Sequence, residues 1–131
     1  MFVDTSGLMC LFDQRDHRHP HAVRHYDLAQ SRLSHSSVLV EFVALTIARK
    51  APRQEALRFV ESISLDSEIE LVWVSRDLHV RAMKLLRERS DKLWSLCDAV
   101  SFLLMLERKV LDALTTDHNF EQAGFVRLLA Q

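Results

Sequence analysis

Four carboxylates stand where acids are uncommon: Asp4 after the apolar Phe2 and Val3, Glu41 inside VLVEFVAL, Asp98 at the head of AVSFLLML, and Asp117 after DALTT. A carboxylate among apolar neighbours gives up hydration that only a partner restores. Each has an ordinary use when taken singly. Ser95 and Asp98 have the S-x-x-D spacing of a capping box, Asp4 and Asp117 suit turns, and Glu41 suits a structural ion pair with one of the arginines. Taken together they read as a site. Converging acids repel one another and raise each other's pKa unless a cation neutralises them, and an all-oxygen ligand set selects Mg²⁺ or Mn²⁺ over zinc. An ion held this way orients and deprotonates water and supports both oxygens of a phosphodiester displacement, which is nuclease chemistry.

The elements that must position these acids alternate in type. Residues 2–4 predict a short strand, and Leu8, Leu11 and Phe12 the apolar face of a helix. Pro20 opens a second, half-exposed helix through Ala29. Residues 32–35 form a strand candidate, and Ser36 or Ser37 begins a helix running to about residue 50, stopped by Pro52. RQEALRFVESI carries a helical stripe, and IELVWV (69–74) predicts a strand. A helix marked by Leu78, Ala82, Leu85 and Leu86 follows, then the loop SDKLWS. LCDAVSFLLMLE is a helix apolar on every side at its centre and must be buried. DALTT (112–116) and FVRLL (125–129) are strand candidates flanking HNFEQAG, with Gly124 placed for a helix end or turn. Alternation of this kind predicts an α/β sandwich with a largely parallel sheet, whose ligands sit outside the carboxyl ends of the strands.

Composition narrows the function classes. The chain of 131 residues, 48% hydrophobic and 27% charged, fits one globular domain over residues 1–131. Seventeen Lys and Arg against 18 Asp and Glu give a formal charge of −1, so nucleic-acid contacts must be local. Two glycines exclude the glycine-rich phosphate loops of nucleotide binders. Cys10 and Cys97 are too few for a disulfide framework or a cysteine-rich zinc site. MFVDTSG lacks the basic and apolar regions of a secretion signal, and no apolar run is long enough for a membrane span, so a cytoplasmic location is expected.

FVDTSGL, the acid of SSVLVEF, the run WSLCDAVSFLLM and the ending LTTDHNFEQAGF resemble, in order, the signatures of the PIN domain, and in particular of single-domain VapC-type ribonucleases. The resemblance spans essentially the whole chain. It implies a three-layer α/β/α sandwich with a central, mainly parallel sheet of about five strands, and metal-dependent endonucleolytic cleavage of RNA. Carried over by position, Asp4, Asp98 and Asp117 would hold the principal Mg²⁺ or Mn²⁺, Glu41 would help bind a second ion or position water, and Ser6 and Thr116 would be supporting hydrogen bonders. Such proteins are usually homodimeric toxins of type II toxin-antitoxin pairs. They cut tRNA or ribosomal RNA and are neutralised by a small cognate antitoxin.

One departure is Cys97, which stands where similar sequences carry Thr or Ser before the aspartate. Candidate phosphate contacts are Arg15, Arg18 and Arg24, or Arg87, Arg89 and Lys92. The tract HRHPH with His25, spanning His17 to His25, has spacing that suits zinc or nickel but no acid or cysteine at a fixed ligand distance. Other readings fit less well. A haloacid-dehalogenase-type phosphatase would want Asp-x-Asp where this chain has Asp4-Thr5-Ser6, and a response-regulator receiver would want a late-strand lysine that DALTTDHN lacks. A catalytically silent PIN domain that binds protein or RNA, and a dimerising scaffold, remain as alternatives.

Overall fold

The computed structural model describes residues 1–130. The chain runs β1 (Phe2–Val3), α1 (Thr5–Phe12), α2 (His19–Leu28), β2 (Arg32–His35), α3 (Ser36–Ala48), α4 (Arg53–Leu65), β3 (Ile69–Val72), α5 (Arg76–Glu88), α6 (Leu96–Arg108), β4 (Asp112–Leu114), α7 (Asn119–Gln122) and β5 (Val126–Arg127). The five strands form one sheet in the order β3-β2-β1-β4-β5, and every pairing is parallel. Right-handed crossovers put α1 to α4 on one face and α5 to α7 on the other, because the chain moves outward from β1 in one direction and then returns to build the opposite edge. The helix contacts follow this division: α1 meets α2 and α3, α3 meets α4, α5 meets α6, and α6 meets α7. The expected three-layer sandwich with five parallel strands is the fold observed.

The strands are shorter than their apolar runs. β3 stops at Val72 rather than Val74, β4 at Leu114 rather than Thr116, and β5 spans only Val126 and Arg127 of FVRLL. Trp73 is 70% exposed, so that run leaves the sheet before its hydrophobic residues end. The core gathers Phe2, Val3 and Leu114 from the central strands with Phe102 and Phe120 from the helices, all 2% exposed or less. Phe102 packs edge-on against Trp94 and Phe120. Helix α6 is buried from Cys97 through Phe102 and at Leu104 and Met105, as its apolar centre requires.

Gly7 lets α1 approach the end of β4. A Cβ there would lie 2.0 Å from the Leu114 carbonyl oxygen, so no side chain fits without moving the helix that begins beside Asp4. Gly124 follows α7 with φ +97°, the left-handed geometry expected for it. Among the described residues no helix is long and apolar enough to cross a membrane.

Candidate active site

In an open parallel sheet the crevice forms where strand order reverses, and here that point lies between β1 and β4. Asp4 follows β1 directly and is the N-cap residue of α1. Asp117 lies three residues beyond β4. Asp98 enters from the first turn of α6 and Glu41 from α3. All four line one cavity of about 520 Å³, together with Ser6, Thr116 and Asn119.

Asp4 and Asp98 are 5% and 7% exposed and each is held by fixed donors. The Thr115 hydroxyl donates to Asp4 Oδ2 at 2.9 Å, and Ser6 Oγ lies 3.4 Å from the same oxygen. With its single proton directed at Asp4, Thr115 accepts from Ser6 Oγ at 3.0 Å and from the Asp117 N–H at 3.0 Å. Thr115 thereby ties the two strand-end aspartates together. Asp98 closes a reciprocal capping box: its N–H donates to Ser95 Oγ and its Oδ2 accepts from the Ser95 N–H, both at 3.0 Å. The same oxygen accepts from Asn119 Nδ2 at 3.2 Å. The cap and the cavity wall are therefore one residue with two uses. Asp117 Oδ1 accepts from the Asn119 N–H at 2.9 Å, which fixes the turn into α7.

Burial raises the Asp4 carboxyl to a pKa of about 7, a rise that the Thr115 hydrogen bond opposes and the charges of Asp98 and Glu41 reinforce. Burial likewise lifts Asp98, against its bonds to Ser95 and Asn119 and with the charge of Asp117. The Cys97 thiol is pushed far up, first by burial and then by Glu41, Asp4 and Asp98, so it stays neutral beside the acids. These mutual influences place all four acids within one electrostatic neighbourhood.

Two expectations need correction. Glu41 is exposed, as is its neighbour Val40 at 71%. The apolar surroundings of VLVEFVAL reflect a helix whose hydrophobic residues extend beyond the stripe the core covers, not burial of the acid. Thr116 supports the site through its main chain, its N–H donating to Ser6 Oγ at 2.9 Å. The threonine hydroxyl that reaches an acid is that of Thr115. Thr115 and Asn119 were both missed. Each sits inside LTTDHNF, and the signal was a hydroxyl two residues, and an amide two residues, from a strand-end acid.

The basic candidates also separate. Arg18 and Arg15 line cavities but are held by Asp16 and Asp13 at 3.0 and 3.1 Å. Arg89 is paired with Asp91 and lies over Trp94. Arg49, which the sequence did not single out, lines the acid cavity and makes no ion pair among the described residues. In the histidine tract, His19 Nδ1 hydrogen-bonds the Cys10 carbonyl at 2.8 Å, bracing the turn between α1 and α2.

Whether these residues suit a divalent cation is a question of donor chemistry. Four carboxylates supply hard oxygen ligands. Asp4 holds its proton to about pH 7 because burial and like charges disfavour its anion, a penalty a cation would relieve. Thr5 Oγ1, on the cavity wall, is buried without a hydrogen-bond partner. Among the described residues no three Asp, Glu, His or Cys side chains stand close enough together to hold an ion without moving. Glu41 is exposed and retains the rotamer freedom to close on one, while half-buried Asp117 offers the oxygen left over from the bond that holds its Oδ1. The donor set fits.

A parallel α/β sandwich with acids at its switch point defines a class, and a model described as the PIN domain matches residues 1–126. The chain belongs to the PIN domain family. Among its relatives is the 23S rRNA-specific endonuclease VapC20 of Mycobacterium tuberculosis, in strains CDC 1551 / Oshkosh and ATCC 25618 / H37Rv. Each is 27% identical over 128 residues, spanning 98% of this chain and 97% of the relative. The crystal structure of M. tuberculosis VapC20, described as a sarcin-ricin loop cleaving toxin, matches with a TM-score of 0.85 at 28% identity over 95% of each chain.

Proposed function

We propose that the chain is a Mg²⁺- or Mn²⁺-dependent endoribonuclease, one PIN domain acting as the toxin of a VapBC-type pair in the cytoplasm. The observation that carries this reading is the convergence of Asp4, Glu41, Asp98 and Asp117 on one cavity at the switch point. The similarity to VapC20 favours ribosomal RNA over tRNA as the substrate. A bound divalent ion would supply a nucleophilic hydroxide near neutral pH and charge stabilisation at the phosphorus. Asp4, Asp98 and Asp117 would hold it, with Glu41 toward the solvent side.

The chain's own residues do the positioning. Thr115, itself held by Ser6, fixes the Asp4 carboxylate, Ser95 and Asn119 fix Asp98, and the Asn119 N–H fixes Asp117. Glu41, free of such restraints, would help draw in the ion from the solvent side and position the attacking water. Exposed apolar side chains support partners: Val40 and Ile47 on α3 are 71% and 60% exposed, and Leu93 at the cavity rim is 97% exposed. A second copy and a small antitoxin are the occupants we assign to such surfaces.

The test is cleavage of total RNA by purified protein with Mg²⁺, Mn²⁺ or EDTA, beside an Asp98→Asn preparation purified identically. Asn preserves the helix cap, so folding is retained. Metal-dependent fragments made only by the parent are expected, and mapping their ends would identify the RNA. Equal cleavage by both preparations, or none by either, would move the assignment to a domain that only binds.

A further inference from the structure

A second cavity, of about 990 Å³, adjoins the acid cavity, with Met9 and Arg49 lining both. Its wall carries Arg15, Arg49 and Lys50 against Asp13 and Glu55. Asp13 is engaged by Arg15 at 3.1 Å, whereas Arg49 and Lys50 make no ion pair among the described residues. Arg49 therefore stands where the second cavity opens from the first, with Lys50 farther along the second, and the two outnumber the remaining acid of that wall, Glu55. The acid cavity itself holds Asp4, Asp16, Glu41, Asp98 and Asp117, and a polyanion has no reason to approach it unless cations at its margin offset that field.

The local fold explains where the two cations stand. Helix α3 ends in a paired closure, the Ala51 N–H donating to Thr46 O at 2.9 Å and the Lys50 N–H to Ile47 O at 3.0 Å. This closure puts Lys50 in the left-handed region at φ 55° and turns the chain toward Pro52 along the second cavity. Arg49 comes near enough to α1 for its charge to act on Cys10.

We propose that Arg49 and Lys50 form a phosphate-binding subsite that receives the RNA backbone next to the scissile phosphate and leads it from the acid cavity into the second one. The inference rests on the ribonuclease reading of the acid cavity. Arg49, at the junction, binds the nearer phosphate through its planar donors, and Lys50 binds a farther one as a point charge. Both act by uniform binding, so they set KM rather than kcat.

Binding is measured first in the Asp98→Asn chain, with a labelled single-stranded oligoribonucleotide of mixed sequence across a range of KCl concentrations. Arg49→Gln and Lys50→Gly are then added. The glycine keeps the left-handed turn, so the helix end is not disturbed. The double change is expected to weaken binding at least about tenfold near physiological salt and to reduce the slope of log Kd against log [KCl] by roughly 1.4, or 0.7 per lost phosphate contact. Arg49→Lys should recover part of the loss, and Lys84→Gln, exposed on α5 and outside both cavities, should change neither quantity. In the cleaving parent the same two changes should raise KM and leave kcat within about twofold.

An unchanged Kd and slope, a fall in kcat at constant KM, or failure of the Asp98→Asn chain to bind the oligonucleotide would each overturn the subsite. The two readings fail separately. A parent that cleaves RNA while the variants keep its KM and salt slope sinks the subsite alone. A parent that never cleaves, but whose RNA binding depends on Arg49 and Lys50, sinks the nuclease alone.

Discussion

The acidic quartet divides into two pairs built on opposite plans. Asp4 and Asp98 are buried, accept hydrogen bonds from Thr115, Ser95 and Asn119, and have pKa values raised by burial. Glu41 is exposed on α3, and Asp117 is half-buried in a turn held by the Asn119 N–H. The difference teaches that a carboxylate site is not four equivalent ligands. One pair is preorganised at the expense of its charged form, and the other remains at least partly hydrated, with Glu41 adjustable and Asp117 held through one oxygen. On the proposed reading, a cation would recover the most by neutralising the first pair and would enter and leave past the second.

The largest expected effect breaks the fixed pair. Asp4→Asn or Asp98→Asn keeps shape and hydrogen-bonding atoms but removes a charge from the ion's site, and cleavage should fall on the order of 10³-fold at any Mg²⁺ concentration, about 4 kcal/mol of barrier. Glu41→Gln should instead raise the Mg²⁺ or Mn²⁺ needed for half-maximal rate by about 10- to 100-fold, with much of the rate regained at saturating metal. Metal titrations of initial rate separate the two behaviours. Equal, metal-independent losses from both pairs would abolish the distinction.

A smaller effect sharpens it. Thr115→Val is nearly isosteric but removes the hydroxyl that donates to Asp4 and accepts from the Asp117 N–H. Activity should fall roughly 10- to 100-fold, as for residues that orient a ligand, and stability by about 1–3 kcal/mol because Thr115 is fully buried. Thr116→Val, whose support to the site is through the backbone N–H, should cost much less in both. Parallel urea melts and rate measurements would expose the reverse order, which would return the supporting role to the Thr116 hydroxyl.

The fold and the four acids were legible for a simple reason: apolar periodicity reports burial, and acids at strand ends interrupt it. The buried helix Leu96–Arg108, the glycine at position 124 and the S-x-x-D cap all follow from local chemistry that a sequence displays. Glu41 misled because α3 carries more hydrophobic residues than the core covers. Val40 and Ile47 look inward in the sequence and face outward in the fold. Thr115 was passed over for its neighbour Thr116 because only the end of β4 at Leu114 decides which hydroxyl points at Asp4. Arg49 was hidden for a related cause: which cation lacks an acidic partner depends on contacts between α1, α3 and the loop they enclose.

A further effect is on stability against pH, in EDTA so that no ion intervenes. Folded Asp4 keeps its proton to about pH 7, against an ordinary value of 3.8. Between those limits the folded chain binds a proton that the unfolded chain has released, so this group lowers stability as pH rises through the window and contributes no further slope above it. His35 acts in the opposite sense. It is fully buried, and its Nε2–H donates to Ser101 Oγ at 2.9 Å, because the Ser101 proton is already given to the Cys97 carbonyl. Burial holds its pKa near 4 against 6.5, so the unfolded chain takes up the proton first and stability falls as pH drops from 6.5 toward 4. In the parent the two slopes oppose each other. Asp4→Asn removes only its own slope and leaves those of His35 and Asp98, so its stability should stand increasingly above the parent's as pH rises from 4 to about 7. Its advantage over the parent should grow from near zero at pH 4 toward a ceiling of about 4 kcal/mol at pH 8. Adding Mg²⁺ at pH 8 should shrink that advantage by stabilising the parent, because only ionised Asp4 has a charge to share with the ion. A variant-minus-parent difference that did not change between pH 4 and 8 would mean that Asp4 is ionised throughout, and would remove the contrast between a proton-holding pair and a hydrated one.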